Sequence, residues 1–190
     1  MRKCELWLFI LCLWSCGPLQ AGTATDPWQN ISPSATPDPL ITYQDTVNRF
    51  ELKYSSEDYS PDPYRYPGEN FALLLDVNKL FAGKNLEEVR VNVAVNPECR
   101  AGYSPLTSEI ESVTIQGVGF TKYFERDAGT HSNTFEHTTY QTQHDGHCYE
   151  ITVSVREYIL DVFLDLTEYS KDLLNSKLDP VIQSFRFLDP

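Results

Sequence analysis

Residues 138–153, TTYQTQHDGHCYEITV, decide the fold of this chain. Asp145 and Gly146, at the centre of the stretch, are the pair that a two-residue type I′ turn favours, because both positions of that turn need a positive φ. The turn joins two strands, over 133–143 and 147–158, and fixes their register. In that register His144 faces His147, Thr142 faces Tyr149, Tyr140 faces Ile151, and Thr138 faces Val153. The sequence therefore predicts a β-hairpin.

The predicted hairpin has one apolar and one polar face, because neighbouring residues of a strand point to opposite sides. The apolar face carries Tyr140, Tyr149, Ile151, Val153 and Val155. The polar face carries His137, Thr139, Gln141 and Gln143 opposite Ser154, Thr152, Glu150 and Cys148. We expect the polar face, or the loops at 60–70 and 96–111, to be the working surface.

Four further strands are predicted, three from alternating apolar and polar residues and one, FALLLDV, from being apolar on both faces. They are RFELKY (49–54), FALLLDV (71–77), VRVNVAV (89–95) and SVTIQGVGFTKYFE (112–125). Gly117 and Gly119 predict a bulge or kink inside the last of these strands. Residues 78–89 indicate a loop with a helical turn.

The apolar face of the hairpin needs a cover, and the C-terminal segment supplies one. Asp165 is the expected N-cap of a helix, with Glu168 completing a capping box. Pro180 should end or kink this helix, and the assignment of 181–187 stays open. The residues that recur at helical spacing are Leu166, Tyr169, Leu173, Leu174 and Leu178.

The composition argues against one class of partner. The chain has 190 residues, with 15 Lys and Arg against 27 Asp and Glu, and a formal net charge of −12. Binding to nucleic acid depends on basic residues that displace counterions from phosphates. We therefore expect no nucleic-acid partner.

Residues 1–21 have the pattern of an export signal. Arg2 and Lys3 are followed by the apolar run LWLFILCLW (6–14) and then by small residues. That run is too short to cross a bilayer core, which needs about 20 apolar residues. The sequence predicts an extracytoplasmic protein: secreted, periplasmic or held at the membrane by a lipid.

Two types of leader cleavage fit the sequence. Ala21 or Ala24 can precede a conventional cut, or Cys16 in LWSC can be the lipidated residue of a lipoprotein. In the second case a lipid on Cys16 would be the chain's membrane contact. Residues 22–39 are rich in Pro, Ser and Thr and predict an extended linker. A single globular domain is expected over 40–190.

Cys99 and Cys148 are the two cysteines that remain beyond the predicted leader. In an oxidising compartment such a pair indicates one disulfide. Two separate buried thiols are the alternative.

The four histidines raise the question of a metal or catalytic site. His144 and His147 share a face across the turn and are weak candidates for metal ligands, but structural zinc needs four ligands and catalytic zinc three. His147 cannot act as base for Cys148, because adjacent strand residues point apart. His131 is expected at the far end of its strand. We expect no metal, no cofactor and no catalytic residue that can be singled out.

Four stretches resemble exported bacterial proteins of uncharacterised function that are related to the PsbP-like fold. They are ITYQDTVNRFELKYSSEDYS (41–60), NLEEVRVNVAV (85–95), YQTQHDGHCYEI (140–151) and VIQSFRF (181–187). The resemblance implies an α+β fold, a central antiparallel sheet of about six strands with helix packed on one or both faces as an α/β/α sandwich. It is the fold of the photosystem subunit PsbP and the Ran-binding Mog family.

The resemblance implies a non-catalytic role, because those relatives are mostly binding or assembly proteins. We expect an exported, non-enzymatic binding or assembly module of the cell envelope, with an envelope protein or a small ligand as its partner. One alternative is an envelope-associated hydrolase that uses acidic residues not identified by spacing. Another is a small-ligand or metal carrier that uses the histidines of the region His131–His147.

Overall fold

The computed structural model describes residues 40–99, 107–129, 132–163 and 165–189. These residues form ten strands and two helices. The strands are β1 (Leu40–Asp45), β2 (Phe50–Ser55), β3 (Tyr59–Pro61), β4 (Glu69–Leu75), β5 (Leu86–Asn96), β6 (Thr107–Ile115), β7 (Val118–Asp127), β8 (Asn133–His144), β9 (His147–Tyr158) and β10 (Arg186–Phe187). The helices are α1 (Val77–Leu80) and α2 (Lys171–Gln183).

The predicted leader, with Cys16, and the predicted linker at 22–39 lie outside the described residues. Within the described part of the chain, neither helix has the length and apolar character that a membrane span requires.

The strands form two antiparallel sheets. Seven strands lie in the order β3-β4-β5-β9-β8-β7-β6, and three lie in the order β1-β2-β10. The prediction of an antiparallel sheet in an α+β chain is confirmed. The described residues contain ten strands where about six were expected, because β1, β3 and β10 are additional strands and the strand predicted over 112–125 is divided into β6 and β7. Helices on both faces of the sheet stay a prediction.

The central hairpin has the predicted register. Asp145 and Gly146 both have positive φ, 49° and 76°. The ladder between β8 and β9 pairs His144 with His147, Thr142 with Tyr149, Tyr140 with Ile151 and Thr138 with Val153. The dipeptide Asp145-Gly146 thus correctly predicted the pairing register of β8 and β9, which have twelve residues each.

The prediction of one kinked strand over 112–125 is wrong. Gln116 and Gly117 have φ values of 48° and 80°, so they form a second tight turn. This turn separates β6 from β7, and Ile115 pairs with Val118 across it. Gln116 tolerates the left-handed conformation here, where its side-chain amide donates to the Gln183 carbonyl at 2.7 Å.

The apolar face of the seven-stranded sheet is buried in one core. Val89, Val91 and Val93 of β5 are at most 1% exposed. Aromatic residues of β2 and β4 belong to the same cluster, where Phe50 and Phe71 are buried. The buried residues of α2 also belong to it: Leu174, Leu178, Val181 and Ile182. Period-two patterns therefore select the buried face of this sheet correctly.

Helix α2 begins later than the sequence predicted. Its N-cap is Ser170, whose hydroxyl accepts from the Leu173 backbone at 3.2 Å. Asp165 lies outside the helix, and so does Glu168. The reason is tertiary: the Tyr169 backbone donates to the Asn85 side chain at 3.0 Å, which holds the chain ahead of Ser170 in a non-helical path.

Pro180 lies inside α2, so the expectation that it ends the helix is wrong. The helix continues to Gln183, and β10 follows at Arg186–Phe187 and pairs with β2. Arg186 donates to Glu51 at 2.6 Å. This hydrogen bond, more than any other contact, holds the pKa of the buried Glu51 carboxyl below its ordinary value.

Candidate functional site

The polar face of the seven-stranded sheet forms the floor of a cleft of about 380 Å³. Four neighbouring strands supply the floor, because every second residue of each strand points to this side. The floor residues are Asn92, Ala94 and Asn96 of β5, Glu150 and Thr152 of β9, His137, Thr139 and Gln141 of β8, and Tyr123 and Glu125 of β7. This volume falls in the range of small-molecule sites.

One wall of the cleft is the loop at 62–69, which we call the lip. Tyr66, Pro67, Gly68 and Glu69 of the lip line the cleft. Arg90 of β5, 5% exposed, holds the lip from below. Its guanidinium donates to Asp62 at 2.7 Å, to Glu69, and to the Tyr64 carbonyl at 3.2 Å. Such a buried guanidinium with several partners fixes the position of the loop.

The ion pairs of the lip shift the pKa values of their members. The hydrogen bond with Glu69 is the main cause that raises the pKa of Arg90 above its ordinary value. Burial opposes ionisation of Asp62, but its hydrogen bonds from Arg90 and from the Tyr64 backbone outweigh this and lower the pKa of the Asp62 carboxyl. Both groups are therefore held in their charged forms at neutral pH. Tyr66 adds an aromatic face, with the Arg90 carbon 4.9 Å from its ring centre.

A β-bulge at the start of β4 turns Glu69 toward the cleft. Glu69 pairs with Ala94 and Phe71 with Val93, so Asn70 is the extra residue. The Asn70 side chain accepts from the Val95 backbone at 2.8 Å and replaces the ladder bond that the bulge removes. Bulges commonly re-aim side chains beside functional sites.

Two buried polar side chains in the floor differ in how they are satisfied. Glu150 is 7% exposed and accepts from the amides of Gln141 at 2.9 Å and Asn96 at 3.3 Å. Asn92 is 9% exposed, and its side-chain amide has no hydrogen-bond partner among the described residues. Among the described residues, the side-chain atoms that are closed to solvent and have no hydrogen-bond partner are Arg49 Nε and Arg156 Nε. The Asn92 amide is therefore open to the cleft, where it can hydrogen-bond a ligand.

The rest of the floor is a ladder of hydroxyl and imidazole groups. The hydroxyls of Thr139 and Thr152 lie 3.1 Å apart across β8 and β9. His137 Nδ1 lies 2.9 Å from the Ser154 hydroxyl. Strand backbones hold all of these groups at fixed spacing, which suits recognition of a polar molecule.

The described lining of the cleft is acidic. Glu69, Glu125 and Glu150 contribute carboxylates, whereas no lysine or arginine lines the described part of the cleft. Arg90 forms ion pairs with both Glu69 and Asp62 from beneath the lip, so these three side chains keep one net negative charge. The Glu125 carboxylate accepts from the Thr107 hydroxyl at 3.0 Å. The field inside the cleft therefore favours cations over anions.

The predicted histidine candidates lie at the turn and have separate partners. The His144 ring stacks on Phe187 with ring centres 3.8 Å apart. His147 is exposed and its Nδ1 lies 3.1 Å from the Asp145 carbonyl. His131 falls outside the described residues. In the part of the chain that the structure describes, no three His, Cys, Asp or Glu side chains come together as a metal site.

Cys99 and Cys148 are joined in the structure, with the sulfurs 2.07 Å apart. Cys148 is 1% exposed and follows the hairpin turn on the polar face, two residues before Glu150. The bridge thus ties the segment after β5 to the strand that carries Glu150.

The structure brings together two surfaces that the sequence proposed separately, the polar face of the hairpin and the loop at 60–70. Sequence reasoning missed Asn92, Asn96 and Arg90. The signal was present in VRVNVAVN (89–96), where the residues between the valines share one face with Glu150. Recognising it required knowing that β5 pairs with β9.

No protein-family model matches the chain, and no curated protein matches it. Among solved structures it is similar to cyanobacterial PsbP from Synechocystis sp. PCC 6803, at 14% identity over 81% of this chain and 95% of that chain, with a TM-score of 0.45. It is also similar to LpqN of Mycobacterium tuberculosis, described as involved in cell envelope biogenesis. Here the identity is 8% over 80% of this chain and 91% of that chain, with a TM-score of 0.43. PsbP belongs to the fold that the sequence resembles, and we transfer no site or activity from either protein.

Proposed function

We propose that this chain is a non-enzymatic, exported binding module of the cell envelope and that the cleft between the lip and the seven-stranded sheet is its binding site. The ligand is a small polar molecule that takes hydrogen bonds from the floor. The leader pattern in residues 1–21 supports the extracytoplasmic location.

Asn92 is the observation that carries this proposal. Its amide opens on the cleft and has no partner among the described residues, so a bound polar ligand can hydrogen-bond it without breaking an internal contact. The groups around Asn92 stand on neighbouring strands, so little ordering is needed when a ligand binds.

A substitution at Asn92 tests the proposal, because binding should be lost while stability is retained. Asn92→Leu keeps the volume and removes an amide that has no internal partner, so its melting temperature should stay close to that of the unaltered protein. The small molecules retained from an extract of the native envelope, measured by native mass spectrometry, should be lost from the same variant.

Asn70→Ala is the matched control, because the Asn70 amide has a partner in the Val95 backbone. This variant should lose about 1 kcal/mol of unfolding free energy. If Asn92→Leu destabilises the fold as Asn70→Ala does and leaves retention unchanged, the amide is structural and the cleft is not the binding site.

A further inference from the structure

We infer that the ligand of the cleft carries a protonated amine that binds against the Glu150 carboxylate. The inference rests on the proposed function and adds the chemical class of the ligand. Two independent observations support it: the Glu150 carboxylate without a cation, and the Asn92 side chain, which is 9% exposed and whose amide opens on the same cleft without a partner among the described residues.

Glu125 and Glu150 are floor carboxylates that the described residues hydrogen-bond without neutralising, and Glu150 is the buried one. The Glu150 side chain takes two amide hydrogen bonds, from Gln141 and Asn96. Among the described residues, no lysine, arginine or histidine nitrogen lies within 4.0 Å of it. A carboxylate offers about four acceptor positions, so room remains for a cationic donor.

Burial makes that missing cation significant. A charge removed from water is costly unless it is paired as well as hydrogen-bonded. A neutral polyhydroxylated ligand would satisfy Asn92 but leave the charge on Glu150 without a counter-ion. A ligand with an ammonium group and a second polar group can form an ion pair with Glu150 and a hydrogen bond with the Asn92 amide.

The space beside Glu150 is open because the neighbouring strand carries a small residue there. Ala94 of β5 is the ladder partner of Glu150 on one side and of Glu69 on the other. Arg90 is already ion-paired with Glu69. The short Ala94 side chain therefore leaves a gap between two carboxylates, of which Glu150 is the one without a cation.

The chemistry is tested with two probes that differ in charge but have the same length: 1,5-diaminopentane and 1,5-pentanediol. Binding is followed by NMR chemical shifts of backbone amides in the full chain. The diamine should shift amides of residues 92–96 and 150–152 in a saturable manner, and the diol at equal concentration should not.

Two variants locate the binding group. Glu150→Gln keeps the shape and removes the charge, and it should weaken diamine binding at least about tenfold. Glu88→Gln removes the same charge from an exposed position of β5 outside the cleft, and it should leave the affinity within about twofold. Ala94→Val fills the gap and keeps Glu150, so it should also abolish diamine binding.

Equal binding of diol and diamine, or an unchanged affinity in Glu150→Gln, overturns the amine assignment. If the diol or another neutral compound shifts the floor amides, the cleft remains a binding site and the amine inference alone fails. If neither probe shifts them and Asn92→Leu retains envelope molecules as the unaltered protein does, both proposals fail.

Discussion

At the scale of single residues, the turn Asp145–Gly146 places the polar face of the hairpin. Both residues have positive φ, a conformation that costs non-glycine residues roughly 1–2 kcal/mol. Asp145 tolerates it through the adaptability of its short side chain, whereas Gly146 needs no compensation.

We predict that Gly146→Ala lowers the unfolding free energy by about 1 kcal/mol through backbone strain alone. A Cβ at Gly146 would meet no atom within 4 Å, so a steric clash is not the cause. Urea denaturation measures the change. Gly119→Ala is the control, because that position also has open space but no positive φ. An equal loss in the two variants would contradict the strain argument.

Single residues also show which features of the site the local sequence cannot predict. The dipeptide Asp145-Gly146 was sufficient to predict the turn, because the preference for a type I′ turn depends on the backbone conformations of these two residues. Asn92 and Arg90 carried no such signal, since an unpaired amide and a buried guanidinium are defined by neighbours that lie far away in sequence.

At the scale of elements, α2 shows how a tertiary contact moves a helix boundary. Asp165 and Glu168 fit a capping box in sequence, but the backbone there is tied to the segment before β5 by the parallel bridge between Lys84 and Thr167. Ser170 is the first position free to act as N-cap.

We therefore predict that Ser170→Ala lowers the unfolding free energy by about 1 kcal/mol, because it removes the N-cap hydrogen bond. Asp165→Ala, at the N-cap that the sequence suggested, should change it by less than about 0.5 kcal/mol. Thermal unfolding followed by circular dichroism compares the two. A larger loss in Asp165→Ala would place the start of the helix where the sequence pattern put it.

The turn between β6 and β7 is a second case at this scale. Gln116-Gly117 lacks the Asn or Asp that favours a type I′ turn. Without that signal, the apolar and polar residues on both sides of it predicted one continuous strand. The pairing of β6 with β7 decided the outcome, because it joins the two segments along the whole ladder from Ile115 to Thr107.

At the scale of the whole molecule, one covalent link spans much of the sheet. Cys99 and Cys148 are 49 residues apart in sequence, and the loop between them contains β6, β7 and β8. Closing a loop of that length restricts the unfolded chain by about 4 kcal/mol in the chain-entropy estimate.

We predict that the paired substitution Cys99→Ala with Cys148→Ala lowers the unfolding free energy by up to about 4 kcal/mol. Guanidinium denaturation with and without reductant measures it: reductant should destabilise the unaltered protein and have no effect on the variant. Intact mass of the exported protein should show the oxidised pair, and the same spectrum distinguishes a cut near Ala21 or Ala24 from acylation at Cys16. Indifference of the unaltered protein to reductant would contradict the bridge.

The sequence alone predicted the central hairpin, its register, and its buried and polar faces. These follow from backbone preferences and period-two alternation, which act between residues close together in the chain. Only the tertiary structure decided the cleft. It depends on β5 pairing with β9 and on Arg90 binding the lip, and those contacts join segments whose proximity no local pattern encodes.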